Sequence, residues 1–122
     1  MREILFRGKS KSINKGEWVY GSFIETIETD EDTDLNTCCI RDKFLAYKLV
    51  DKETVGQFTG LTDKNGKKIF EGDLIKGCWG TVFEVYYDDD YLQFRAKTID
   101  GLNNNIDYFG STHQIEVIGN IY

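Results

Sequence analysis

Residues 59–73, TGLTDKNGKKIFEGD, hold three glycines, three acidic residues and three lysines. Such a mixture could serve a calcium loop, a phosphate cradle or a tight turn. The calcium reading fails on spacing. Counted from Asp63, Asn65 suits the third position, but Lys67 and Lys68 fall where an oxygen ligand and a glycine are required. Leu74 then stands where a bidentate Glu belongs. Counted from Asp30, Asp32 and Asp34 fit, but Leu35 replaces the glycine and Arg41 the Glu. The phosphate reading lacks the Gly-Lys-Ser/Thr ending and the helix that would follow it.

Other chemistry is equally thin. The one histidine, His113, and the cysteines Cys38, Cys39 and Cys78 form neither a Cys-x-x-Cys nor a His-x-x-His pair, so no zinc site is expected. Vicinal Cys38 and Cys39 read as strand residues facing opposite sides, and Cys78 as a small buried one. A nucleophile pair would have to use His113, and Ser111 and Thr112 are poorly spaced to face it on a strand. The carboxylate clusters, Glu28–Asp34 and Asp88–Asp90, fall in loops with no apolar shell to shift their pKa. The chain reads as a non-enzyme without cofactors, with an uncharacterised hydrolase as the alternative.

What remains for residues 59–73 is a turn. Asp63-Lys64-Asn65-Gly66 matches a type I turn followed by a left-handed glycine, the three-residue hairpin loop with a glycine bulge. A two-residue type I′ turn at Asn65-Gly66 is the alternative. Either joins a strand ending near Leu61 to one starting near Lys68. Glu71-Gly72-Asp73 reads as a second turn leading into Leu74-Ile75-Lys76.

The elements around this turn are strands. Proline is absent, and no run of ten residues keeps a 3.6-residue apolar period, whereas short alternating runs recur. GEWVYGSFIETI, residues 16–27, reads as a strand with an irregularity at Gly21. Thr81–Tyr87 reads as a central strand. Leu92, Phe94, Ala96 and Thr98 alternate with Gln93, Arg95 and Lys97, as in a half-buried antiparallel strand. Asp88-Asp89-Asp90 makes the turn between the two. A short helix is the reading for Arg41–Ala46, and HQIEVIGNIY supplies the last strand. Seven to nine strands in 122 residues predict a mainly β fold: a small antiparallel barrel or packed sheets, SH3-like in the C-terminal half. The expected parts are about 1–54, an N-terminal β part, and about 55–122, a barrel-like part. No apolar run approaches the ~20 residues that span a bilayer, and MREILFRGKSKS lacks a secretory apolar core, so the cytoplasm is the expected compartment.

VGQFTGLTDKNGKKIFEGD, residues 55–73, resembles the signature of the YopX family of bacteriophage and prophage proteins. The opening MREILFRGK and the ending IEVIGNIY resemble that family's start and end. The resemblance implies a mainly β fold, a phage or prophage origin and a location inside the bacterial host cell. It implies no activity. It carries the signature onto Gly56, Gln57, Thr59, Gly60, Asp63, Gly66, Gly72 and Asp73. With Asn65 and Glu71, these read as residues that set backbone geometry.

The expected function is therefore a phage accessory protein acting as a non-catalytic protein-interaction module, with a host or phage protein partner and a tendency to form homo-oligomers. The binding aromatics suspected from the sequence are Trp79, Tyr86 and Tyr91, with Tyr87. The alternative is a small β-barrel that binds single-stranded nucleic acid through the aromatics and cations between Lys76 and Lys97. A net charge of −6 disfavours it.

Overall fold

The computed structural model describes residues 3–12, 14–27, 36–77, 80–99 and 115–122. Among them lie ten strands: β1 (Phe6–Lys9), β2 (Trp18–Ile27), β3 (Asn36–Arg41), β4 (Tyr47–Leu49), β5 (Gly56–Thr62), β6 (Lys68–Phe70), β7 (Asp73–Lys76), β8 (Val82–Asp88), β9 (Gln93–Thr98) and β10 (Glu116–Asn120). A single 3-10 turn, Lys52–Thr54, is the only helical element among the described residues. The mainly β expectation holds, in its packed-sheet form. Among the described residues the sheets do not close into a barrel, which corrects the barrel and SH3-like alternatives. The second correction concerns Arg41–Ala46, where a hairpin turn replaces the expected helix.

The chain divides into two compact units, Met1–Gln57 and Phe58–Tyr122. In the first, the strand order is β4-β3-β2-β1, and β1 also pairs with the start of β5, Phe6 opposite Gln57 and Arg7 opposite Gly56. Ile40, Val50, Cys38 and Val19 form its buried core, with Phe6, Phe23 and Val55 packed against them. The register of β2 runs without a shift through Gly21, which stands opposite Phe6, so the irregularity expected there is absent, and the need for glycine is steric. A Cβ there would stand 1.9 Å from the carbonyl oxygen of Arg41, so glycine lets that carbonyl come close.

In the second unit β7, β8, β9 and β10 form an antiparallel sheet in the order β10-β7-β8-β9, and the rest of β5 pairs with β6. Ile69, Ile75, Val85, Ala96 and Val117 make its core, with Phe83 and Ile115 against them. These residues come from β6, β7, β8, β9 and β10, so each strand contributes one inward face. The strand expected at Leu92–Thr98 begins one residue later. Leu92 lies in the turn with its side chain exposed. Arg95, expected on the solvent face, is buried: its guanidinium reaches Asp88 Oδ2 at 3.0 Å and lies over the Tyr91 ring.

Candidate functional site

The signature hairpin can be built residue by residue. At Asp63 the main-chain N–H donates to the Lys67 carbonyl (2.8 Å), and Gly66 N–H donates to the Asp63 carbonyl (3.0 Å). Gly66 takes φ +80°, whereas Asn65 is not among the residues of positive φ. This is the type I turn with a glycine bulge, since a type I′ turn would need positive φ at both Asn65 and Gly66. Asp63 Oδ1 accepts the N–H groups of Asn65 and Lys67, each at 2.9 Å. Its Oδ2 accepts the N–H of Val117 in β10 at 3.0 Å. Burial pushes this carboxyl up. The N–H groups of Val117, Lys67 and Asn65, with the Lys67 charge, outweigh that and hold it below the ordinary carboxylate range.

The flanking signature residues are also engaged with backbone. The β5–β6 register shifts between Phe58 and Thr62, where Gly60 takes φ +90°. There Thr59 Oγ1 donates to the Ile69 carbonyl (2.8 Å) and accepts the Leu61 N–H (3.2 Å), replacing ladder bonds that the bulge removes. Buried Asp73 accepts the Phe70 N–H (2.8 Å) across the Glu71-Gly72 turn. Gly72 takes φ +90°, and a Cβ on it would press on the Tyr122 ring at 2.7 Å. Among the described residues no three His, Cys, Asp or Glu side chains group to hold a metal ion. Burial, then Glu25, pushes the Cys38 thiol up, away from reactive thiolate character.

Of the suspected aromatics, Tyr86 and Tyr91 lie on the β8–β9 hairpin. Trp79 falls outside the described residues, as do Cys78, His113, Ser111, Thr112 and the acidic run from Glu28 to Asp34. Tyr86 is half-buried opposite Arg95, with the Lys97 ammonium over its ring. Two cations of this face meet carboxylates, Arg95 with Asp88 at 3.0 Å and Lys97 with Glu84 at 3.1 Å, and Lys76, opposite Val82 on the same face, is exposed. Tyr87 packs edge-on against Phe94. Tyr91 projects at the hairpin tip, 66% exposed, beside Leu92 at 76%.

A larger exposed apolar group, outside the aromatics suspected from the sequence, lies on the β3–β4 hairpin. Its turn, Asp42-Lys43-Phe44-Leu45-Ala46, repeats the bonding of the signature turn. Asp42 N–H donates to Ala46 O and Leu45 N–H to Asp42 O, both at 3.0 Å. Asp42 Oδ1 accepts Phe44 N–H at 2.9 Å and Ala46 N–H at 3.1 Å. The position filled by Gly66 in one turn is filled by Leu45 in the other, at φ +65°. Phe44 and Leu45 are 78% and 64% exposed, and Tyr47 and Leu49 on β4 are exposed beside them. A leucine in this backbone region is strained relative to glycine. Leu92 on the β8–β9 tip takes φ +52°, again following an exposed aromatic. The signal that would have found the first tip was the shared Asp-Lys-x-x-x spacing of residues 42–46 and 63–67.

A family model described as "YopX protein" matches residues 5–122. No curated protein matches the chain.

Proposed function

The chain belongs to the YopX protein family, a phage-associated family of unknown function, and from that premise we propose that it is a non-catalytic interaction module acting inside the bacterial host cell. The observation that carries the reading is the β3–β4 tip, where Phe44 and Leu45 face solvent on a turn that holds Leu45 at positive φ. Exposed apolar groups on a strained turn are costly in a folded chain, and strain at a turn points to a use for that side chain. Aromatic and leucine anchors at a projecting tip suit a protein partner with a matching pocket. The signature carboxylates, by contrast, are occupied with backbone N–H groups rather than aimed at a substrate.

The test is capture of partners by tagged wild type and by the Phe44→Ala, Leu45→Gly double variant, each with and without nuclease. The expected result is a nuclease-resistant partner in near-stoichiometric yield that the double variant loses. Capture that is unchanged in the variant, or that nuclease abolishes, would count against the reading.

A further inference from the structure

The identity of one partner follows from charge, given the interaction-module reading above. We infer that the β3–β4 hairpin of one copy receives the β8–β9 tip of a second copy. Residues 41–49 carry Arg41, Lys43 and Lys48 against Asp42, leaving two net positive charges in a chain whose formal net charge is −6. Residues 88–95 carry Asp88, Asp89 and Asp90 against Arg95, leaving two net negative charges. Internal pairs, Lys48 with Asp42 and Asp88 with Arg95, use part of each set. Exposed Lys43 on one tip and exposed Asp89 and Asp90 on the other remain to face outward.

The apolar parts match as well. Phe44, Leu45 and Tyr47 stand exposed on the basic tip, and Tyr91 and Leu92 on the acidic one. Opposite charges steer the two tips together and fix their pairing, and the aromatic and leucine side chains supply the contact. A foreign acidic protein would need the same combination of carboxylates and projecting apolar groups. This chain already carries it, at a concentration equal to that of its receptor. Because the two patches differ, the contact is heterologous, and its product is a ring or a linear assembly according to whether the rotation closes.

The test is light scattering on the full chain over a concentration series at low and high salt. Mass is expected to rise with concentration and to fall as salt screens the tips. Lys43→Glu with Lys48→Glu, and separately Asp89→Lys with Asp90→Lys, should each leave a monomer. Mixing the two variants should restore association, because each keeps one intact tip; this also shows that both are folded. Wild type that stays monomeric, or assembly that survives both charge reversals, overturns the inference. A monomeric wild type whose partner capture still depends on Phe44 and Leu45 would sink the self-association and spare the interaction module.

Discussion

Asp63 and Val117, 54 residues apart in sequence, are joined by a buried 3.0 Å hydrogen bond from the Val117 N–H to Asp63 Oδ2. Val117 lies at a bulge: it pairs with Ile75, and the register with β7 shifts before Gly119. The carboxylate that closes the signature turn thus also holds β10. Replacing Asp63 with Ala would leave three N–H groups without their acceptor. A stability loss of about 3 kcal/mol is expected, since bonds to a charged group count for more than neutral ones and orphaned donors add to the loss. Asn, which keeps one acceptor oxygen, should lose less. Urea unfolding of both variants checks the order, and an Ala variant as stable as wild type would refute the clamp.

The same carboxylate predicts an acid response. Its folded pKa lies below its unfolded value, so the unfolded chain binds the proton more readily. The stability it contributes is present above the ordinary aspartate range and is lost as pH falls through the folded pKa. Wild type should therefore weaken as pH drops below about 4, and Asp63→Asn should show a shallower loss across that window. Parallel denaturation curves for the two proteins at each pH would show the prediction to be wrong.

The paired turns predict opposite outcomes for substitutions at their two left-handed positions, Leu45 and Gly66. Leu45→Gly relieves a left-handed leucine and should stabilise the first unit by up to about 1 kcal/mol, with added unfolded-chain entropy offsetting part of the gain. Gly66→Ala places a Cβ at φ +80° and should cost about 1 kcal/mol. A rise in the unfolding midpoint for the first and a fall for the second is the expected pair. Loss of stability in Leu45→Gly would mean that its side chain supports the fold.

Gly21→Ala should be among the most damaging single changes in the first unit. The new Cβ would sit 1.9 Å from Arg41 O, and only separation of β2 from β3 could make room. A loss above about 2 kcal/mol is expected, with faster amide exchange in β3 than in wild type. Unchanged exchange there would show that the strands tolerate the methyl group.

The turns were the most legible part of this chain, because turn chemistry is local. Asp63 through Gly66 specify their own geometry, and the carboxylates of Asp88–Asp90 mark a hairpin tip wherever the strands go. Barrel closure was not legible, since it depends on which strand edges meet, and alternation within a strand does not state that. Alternation with Phe94 and Ala96 puts Arg95 on the solvent face, yet Asp88 and Tyr91 bury it from the neighbouring strand and turn. The β3–β4 tip was missed for a related reason. Phe44 and Leu45 beside Ala46 resemble a short apolar helix, and only the Asp42 carboxylate, bonded to the Phe44 and Ala46 N–H groups, selects the turn.

The pairing of β10 with β7, fastened by Asp63, also sets a timetable on the ribosome. The strands of the first unit pair with neighbours that have already been made by the time Gln57 emerges. In the second unit β7 can pair with β8 early, but its other edge and the Asp63 carboxylate wait for a strand that ends at Asn120. Translation therefore holds Phe58 onward unfinished through most of its synthesis, with Ile75 lacking its cover until Val117 arrives. Chains stalled before residue 117 should protect the amides of β1 to β3 and leave those on the β10 side of β7 open to exchange.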